Sequence, residues 1–303
     1  MKKKTLRRTL AVFAAAGLAA LSVGLFAGCD TDHPEITITY TFNGKDYNVD
    51  YTLTREAAPQ TVRHFLELVD AGYYDGMCVH DYDGVFMRAG GYYFDDNGEL
   101  QQKDYFTAVK KIEETQGIKF TQSVFRTDEN AANKKGEGLY TVYGEMENEQ
   151  YTYTGSRYSH SKGALVMDYT SKGSYSGTVT TLRSGDGKYQ SGSEYKYNSA
   201  TSQFYTYLTS SGSSLDKNYC VFGMAKNYSE QMDNGLLKAI EDFIAEHKDS
   251  DENYEFTTEK VDKNPNRYDP FELVNTGNQE VTYHLPADVD GRITIKTIKV
   301  NKY

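Results

Sequence analysis

The sequence has no tryptophan, only three cysteines, and fewer basic than acidic side chains, 33 against 43. Three cysteines are too few for a disulfide framework or for a zinc site built from four cysteines. The net charge of −10 argues against a general nucleic-acid-binding protein, because neutralising phosphates requires an excess of Lys and Arg. No nucleic acid is therefore expected as a partner.

Several motifs for catalysis and metal binding are also missing. The six histidines are dispersed and form neither H-x-x-x-H nor H-E-x-x-H, which disfavours catalytic zinc. The sequence contains no G-x-S-x-G motif and no phosphate-binding loop. Asp81, Asp83, Asp95 and Asp96 lack the spacing of a calcium loop, so we interpret them as a solvated acidic face. The sequence thus predicts no metal site and no cofactor.

The first 28 residues have the pattern of a secretory signal peptide. Five basic residues precede an apolar run over 10–27, and Cys29 follows directly after Gly28. The end of this run, Ala-Gly-Cys, resembles the lipobox of bacterial lipoproteins, in which the cysteine is lipidated. The alternative is an uncleaved membrane anchor, although the run is short for a span of about 20 residues. We expect a lipid-anchored protein on the extracytoplasmic face of the cell membrane, with residues 29–35 as a tether.

Alternating apolar residues predict mainly β structure from residue 36 onwards. Residues 36–42 and 47–53 alternate on either side of Asn43-Gly44, which predicts a hairpin with a type I′ turn. No strand–helix–strand alternation is present, so the expected architecture is an antiparallel barrel or sandwich. Further strands are predicted at 77–80, 84–89, 139–142, 164–167, 203–208, 219–223 and 293–300.

Two amphipathic helices are predicted to cap this sheet. Apolar residues recur at helical spacing between Pro59 and Gly72 and again over 236–244. A further helical stretch is predicted near 106–115. Residues 170–199 are dominated by Ser, Thr, Gly and Tyr and show no apolar periodicity. We interpret them as a long surface loop or hairpin rather than a core element.

Cys78 and Cys220 both lie in apolar, strand-like runs of the sequence. A buried free thiol is the ordinary interpretation of such a cysteine. A disulfide between the two is also possible, since the protein is expected outside the cytoplasm.

Short blocks along the chain resemble the cyclophilin-type peptidyl-prolyl cis-trans isomerases in content and in order. They are Ala58-Pro59-Gln60-Thr61-Val62, Gly72-Tyr73-Tyr74-Asp75-Gly76, Val79-His80, Phe86-Met87-Arg88-Ala89-Gly90-Gly91, Tyr143-Gly144-Glu145-Met146, Gly163-Ala164-Leu165-Val166-Met167, Ser202-Gln203-Phe204-Tyr205-Thr206 and Val221-Phe222-Gly223. The resemblance implies one mainly β domain over 36–303, a cyclophilin-like eight-stranded antiparallel barrel capped by two α-helices. It also implies long loop insertions at 92–137, 170–199 and 246–290.

The resemblance implies a reaction as well, the cis-trans isomerisation of X-Pro peptide bonds during protein folding. Rotation about a peptide bond faces a barrier of about 18–20 kcal/mol, and uncatalysed X-Pro isomerisation is slow. No bond is broken, so a catalyst needs only a pocket for the proline ring and a donor for the twisted amide. The expected partners are proline-containing segments of exported polypeptides.

The resemblance implies a substrate groove, but several residues depart from the family pattern. The family has an arginine donor after the histidine of its F-H pair, whereas this chain has Asp81, whose carboxylate only accepts hydrogen bonds. Ser214 stands where the family has Trp. The residues at groove positions are Phe86, Met87, Ala89 (family Gln), Tyr169 (family Asn), Gln203, Tyr205, Leu215 and Tyr219 (family His).

These departures leave two alternatives for the function. One is an isomerase weakened by Asp81 in place of the arginine. The other is a non-enzymatic, surface-anchored module that binds peptides or proteins. The Tyr-, Ser- and Gly-rich composition of residues 170–199 is also that of a recognition surface, although an ordinary solvated insertion is the preferred interpretation.

Two other arginines are candidates for the missing donor. Arg88 is next to Met87, but strand alternation places the Arg88 side chain on the opposite face from Met87 and so away from the predicted groove. Arg183 lies in segment 170–199, which the resemblance places beside the groove.

Overall fold

The structure is a computed structural model that describes residues 31–146, 158–169, 178–183, 186–195, 200–210, 218–248, 254–263 and 280–303. The predicted signal peptide, Cys29, Ser214 and Leu215 lie outside the described residues. Within the described ranges, no helix is long and apolar enough to cross a membrane.

Strands dominate the described part of the chain. They are β1 (Glu35–Phe42), β2 (Lys45–Leu53), β3 (Asp81–Tyr82), β4 (Phe86–Ala89), β5 (Tyr92–Phe94), β6 (Leu100–Gln102), β7 (Val124–Thr127), β8 (Lys135–Gly138), β9 (Ala164–Met167), β10 (Thr178–Leu182), β11 (Tyr189–Glu194), β12 (Phe204–Tyr207), β13 (Cys220–Ala225), β14 (Thr257–Lys263), β15 (Glu280–Pro286) and β16 (Ile293–Lys302). The helices in this part are α1 (Pro59–Asp70), α2 (Tyr105–Gln116), a π-helix over Ser229–Leu236, and α3 (Leu237–Lys248), which continues the π-helix.

The predicted first hairpin is confirmed. Strands β1 and β2 pair antiparallel, with Phe42 opposite Lys45 at the turn. Asn43 and Gly44 have φ values of 45° and 70°. Positive φ at both central residues is what a type I′ turn requires, and its twist matches that of the strands.

Eight strands form one antiparallel sheet in the order β16-β1-β2-β13-β9-β12-β4-β3. The segment before β3 hydrogen-bonds to the opposite edge strand: the Gly76 N–H donates to the Ile295 carbonyl (2.8 Å) and the Val79 N–H to the Ile293 carbonyl (2.9 Å). The sheet therefore curls until its edges meet, around an apolar core. The predicted fold class, mainly β with an eight-stranded antiparallel sheet and helices, is confirmed.

Both predicted capping helices are present. In α1 the buried Phe65 ring lies 5.0 Å from the ring of Phe222 on β13 and 5.4 Å from that of Phe204 on β12, measured between centroids. In α3 the Phe243 ring lies 5.5 Å from Phe42 on β1. Both helices thus pack their apolar side chains against the inner face of the main sheet. The helical stretch predicted near 106–115 is also confirmed, as α2.

Two predicted strands are wrong in detail. Residues 139–142 make only a single bridge, between Val142 and Ala200. Tyr140 has a φ of 58°, a left-handed conformation that interrupts an extended strand. At 77–80 the pairing is reduced to isolated bridges at Met77 and Cys78.

Segment 170–199 contains a hairpin, which is one of the two predicted forms, but the prediction that it is not a core element is wrong. Its strands β10 and β11 form a hairpin and join β7 and β8 in a four-stranded sheet of order β11-β10-β7-β8. Val179 and Tyr195 are buried in the main core. The hydroxyl of buried Thr180 donates to the Lys134 carbonyl (2.8 Å). The polar composition is misleading because Thr favours strands and its hydroxyl can be buried once it is hydrogen-bonded.

Cys78 and Cys220 are both buried free thiols, so the possible disulfide between them is not formed. Burial raises the pKa of the Cys78 thiol to about 12. A thiol held protonated and out of solvent is a packing residue rather than a nucleophile.

Candidate functional site

The main sheet carries a second apolar cluster on its outer face. Met87 and Ala89 on β4 point into the main core, whereas Phe86 belongs to the second cluster. This separation follows from the alternation of side chains along a strand. We call the second group the outer cluster; it comprises Phe86, Tyr158, Ala164, Val166, Tyr205, Tyr207, Tyr219, Val221 and Met224.

Four of the predicted groove residues meet at the outer cluster through their rings. The Tyr205 centroid lies 5.5 Å from that of Phe86 and 6.1 Å from that of Tyr219. The Tyr169 centroid lies 5.8 Å from Tyr219. Tyr205 is buried, while the other three are half-buried. They form a row of aromatic rings that remains partly open to solvent.

His160, which the sequence does not single out, stands beneath this row. Its ring lies 4.4 Å from that of Tyr207 and 5.2 Å from that of Tyr219, measured between centroids. Its Nε2 lies 2.9 Å from the Tyr205 hydroxyl. The histidine therefore fixes the tyrosines of the outer cluster by tilted ring contacts and by a hydrogen bond.

Gln203 lies just before β12, two residues before Tyr205, and its side chain is held by His80. The His80 Nε2 lies 3.2 Å from the Gln203 Oε1, so this ring nitrogen is the donor. Burial, with a further contribution from Arg88, lowers the pKa of His80 to about 3 and keeps the ring neutral. The side chain of Gln203 is buried, and its Nε2 has no hydrogen-bond partner among the described residues.

Asp81, which the resemblance places at the position of the family arginine, is bound to the hairpin formed by β14 and β15. Its Oδ1 accepts hydrogen bonds from the His284 backbone N–H and the His284 Nδ1, both at 3.0 Å. The neighbouring Tyr283 ring packs 5.0 Å from His80 and 5.2 Å from Tyr92. Asp81 thus attaches the hairpin to the edge strand β3, and its carboxylate is engaged in that contact.

Arg88 lies on the outer face, with the predicted groove residues. It is paired directly with Asp81 on β3 and with Tyr205 on β12. Its guanidinium carbon is 5.0 Å from the centroid of the Phe86 ring. The prediction that Arg88 faces away from Met87 is correct, but Phe86 and Tyr205 lie on the same face as Arg88.

Asp168 is the counter-charge of Arg88. Its Oδ2 lies 3.7 Å from the Arg88 Nη1, and the two side chains are 16% and 24% exposed. Burial opposes the charge of Arg88, but Asp168 and Asp81 outweigh it and raise the pKa of Arg88 further. Burial raises the pKa of Asp168, against the lowering effect of Arg88. The guanidinium of Arg88 is therefore a permanent positive charge next to the outer cluster, and its partner Asp168 lies on the same face of the sheet.

Two of the remaining predicted groove residues are not brought to the outer cluster. Met87 and Ala89 are buried in the main core. Leu215 lies outside the described residues. Arg183 donates from Nη1 to Gln190 Oε1 (2.6 Å), a contact within the β10–β11 hairpin.

The structure also identifies residues that sequence reasoning missed. His284 comes from segment 246–290, which the resemblance predicts to be an insertion and which has no motif. Asp168 directly precedes the predicted groove residue Tyr169 but is not itself predicted as a site residue. The sequence does contain a signal that places Arg88 beside Phe86. The two residues are two positions apart, and such residues share one face of an extended strand.

Comparison with known proteins identifies the family of the chain. The family model described as "Cyclophilin type peptidyl-prolyl cis-trans isomerase/CLD" matches residues 37–261, more than half of the chain. The chain belongs to the cyclophilin-type peptidyl-prolyl cis-trans isomerase family. None of the curated proteins matches it.

Similar solved structures are distant in sequence. A cyclophilin type peptidyl-prolyl cis-trans isomerase of Cryptosporidium parvum is 17% identical with a TM-score of 0.38, over 89% of this chain and 99% of that chain. The same protein in the presence of the dipeptide Ala-Pro is 16% identical with a TM-score of 0.40, over 89% of this chain and 99% of that chain. The Mimivirus cyclophilin is 12% identical with a TM-score of 0.38, over 90% of this chain and 91% of that chain.

Proposed function

We propose that the chain is a slow peptidyl-prolyl cis-trans isomerase that binds proline-containing segments of exported polypeptides at the outer cluster. The observation that carries the proposal is the row of half-buried rings, Phe86, Tyr219 and Tyr169, around Tyr205. Aromatic faces give a proline ring a large apolar contact area at little cost in side-chain entropy. Membership of the isomerase family supports the same reading.

Catalysis is expected to be slow because position 81 offers no donor. A carboxylate is acceptor-only, and that of Asp81 already accepts two hydrogen bonds from His284. Its negative charge also disfavours an electron-rich twisted amide nearby. The chain therefore keeps the aromatic surface for proline but lacks the donor at the position that the family resemblance implies.

We expect the full chain to bind the tetrapeptide Ala-Ala-Pro-Phe and to accelerate its cis-trans exchange measurably above the uncatalysed rate. Peptide titration followed by NMR gives the Kd, and NMR exchange spectroscopy gives the catalysed rate. Tyr219→Ala should weaken binding at least fivefold, because it removes one ring of the outer cluster. Tyr93→Ala is the matched control, since Tyr93 is an exposed tyrosine outside that cluster.

The outcomes separate the two alternatives of the sequence analysis. Binding with exchange supports a slow isomerase. Binding without exchange leaves the peptide-binding module, and the absence of binding contradicts both. An exchange rate close to that of a cyclophilin with the arginine would contradict slow catalysis.

We also propose that a lipid on Cys29 holds the protein at the extracytoplasmic membrane surface. The support is the apolar run that ends at Gly28-Cys29. We expect Cys29→Ser to move the protein from the membrane fraction to the soluble fraction of its host cell, with Thr31→Ser as a neutral control. Mass spectrometry of the mature N-terminus should find an acylated Cys29. Membrane retention of the serine variant with residues 1–28 intact would favour an uncleaved anchor instead.

A further inference from the structure

We propose that Arg88 is the catalytic donor of this chain and takes over, from the neighbouring strand, the task that Asp81 cannot perform. The inference rests on the proposed isomerase function and concerns how the same site works. In this proposal a guanidinium N–H of Arg88 donates to the nitrogen of the X-Pro amide as that amide twists.

The strand register brings Arg88 to the correct face. Arg88 is directly opposite Asp81 in the antiparallel pair β3–β4. Side chains that face each other in such a pair start about 4.5–5.5 Å apart at Cβ, and they lie on the same face. The flexible arginine side chain is longer than this offset. The guanidinium of Arg88 can therefore reach the surface next to Asp81.

The guanidinium lies beside the surface proposed to bind proline. The guanidinium carbon of Arg88 is 5.0 Å from the centroid of the Phe86 ring. Arg88 is also paired with Tyr205 on the neighbouring strand β12. A proline ring that packs on the exposed part of Phe86 is thereby adjacent to a cation. The side chain is 24% exposed, so part of the guanidinium can be reached from solvent.

Arg88 has hydrogen-bonding capacity to spare. Its contact with Asp168 is an ion pair at 3.7 Å, longer than a hydrogen bond. Its buried Nε has no hydrogen-bond partner in the part of the chain that the structure describes. A guanidinium has five N–H donors, so Asp168 leaves several of them free to act. Asp168 serves as the counter-charge that keeps the cation at the outer cluster.

The chemistry requires a donor and nothing else. In a planar amide the nitrogen lone pair is delocalised, and rotation localises it on nitrogen, where it becomes a hydrogen-bond acceptor. A donor at this point binds the twisted state more tightly than the planar one, which is the condition for catalysis. The surrounding rings exclude water and strengthen the interaction. No bond is made or broken, and the arginine keeps its proton throughout.

The test compares Arg88→Gln and Arg88→Lys in the full chain, with Ala-Ala-Pro-Phe as the probe. We expect Arg88→Gln to lower the catalysed exchange rate at saturating peptide at least tenfold, with a Kd that changes less than threefold. Lysine should retain part of the rate, since it keeps the charge but not the planar fork. Arg126→Gln is the matched control: Arg126 is a half-buried arginine on β7, paired with Glu137.

Each outcome has a distinct meaning. An unchanged rate in Arg88→Gln, with exchange still catalysed by the wild-type chain, overturns the role of Arg88 and leaves the isomerase function standing. Parallel losses of binding and exchange make Arg88 a binding residue and also overturn the proposal. No exchange in the wild-type chain overturns the isomerase function itself. Should the glutamine variant unfold in urea at a lower midpoint than the control, the lysine variant decides: its rate must lie below wild type at unchanged Kd.

Discussion

Replacing Gly90 with alanine is expected to lower the free energy of unfolding by about 3 kcal/mol or more. Gly90 has a φ of 92°, where L side chains are strained. An added Cβ would also fall well inside van der Waals contact of the Ser202 carbonyl oxygen and 3.1 Å from the Gln203 Cα. Both obstacles are backbone atoms, so no rotamer change relieves the clash.

The Ser202 backbone has little freedom to move away from Gly90. Its carbonyl accepts a hydrogen bond from the Tyr74 hydroxyl (3.0 Å), and its own hydroxyl donates to the Gly90 carbonyl (2.7 Å). An alanine methyl would separate these partners inside the core. It would also displace Gln203, so we expect peptide affinity to fall together with stability.

Urea unfolding of the full chain measures the effect, with Gly84→Ala as the control. Gly84 has a φ of 79° but nothing within 4 Å of an added Cβ. Its substitution therefore reports backbone strain alone, about 1 kcal/mol. The difference between the two variants isolates the close approach of the two backbone segments. Equal losses of unfolding free energy in the two variants would show that the backbone at 202–203 shifts to accommodate the methyl group, which would contradict our expectation.

The aromatic part of the site can be predicted from sequence because its residues lie in recognisable blocks. Phe86 and Tyr205 each belong to a motif of the isomerase family, and strand alternation gives their orientation. The same alternation shows that Phe86 and Met87 cannot both line one face of β4. Met87 is predicted from sequence as a groove residue, and this is why Arg88 is predicted to point away from the groove.

The hairpin contact at Asp81 could not be predicted in this way. Asp81 and His284 are 203 positions apart in sequence, and His284 lies in a segment without a motif. Only the folded chain brings them within 3.0 Å. This contact also affects how an Asp81→Arg substitution, which would restore the family arginine, can be interpreted. Such a variant would detach the β14–β15 hairpin from β3 as well as add a cation, so its activity alone could not measure the missing donor.

Truncating Glu145 to alanine is expected to cost about 3 kcal/mol of stability, although this residue is not part of the outer cluster. The buried Glu145 carboxylate accepts hydrogen bonds from the backbone N–H groups of Gln60 (3.1 Å) and Thr61 (2.9 Å). These are free donors of the first turn of α1, whose N-cap residue, Ala58, has no side-chain hydrogen bond. Glu145 therefore supplies both a remote cap and a negative charge at the positive end of the helix.

Glu145→Ala leaves one buried and one partly buried N–H without an acceptor, which is the main source of the expected loss. Glu145→Gln keeps one acceptor oxygen but lacks the charge, so it should lose about half as much. Glu137→Ala, at a largely exposed glutamate on β8, is the control and should lie within about 0.5 kcal/mol of wild type. Urea unfolding measures all three. A loss below about 1 kcal/mol for Glu145→Ala would contradict the capping role.

The same variant connects helix α1 to the site. Phe65 on α1 packs on Phe204, whose neighbour Tyr205 points to the outer cluster, and the Nε2 of His64 lies 3.0 Å from the Thr201 carbonyl just before β12. A loosened α1 should therefore weaken the support of β12 from the core side. We expect Glu145→Ala to weaken peptide binding and slow exchange together. Arg88→Gln, by contrast, should slow exchange at nearly constant affinity, because it alone removes an interaction made with the twisted amide.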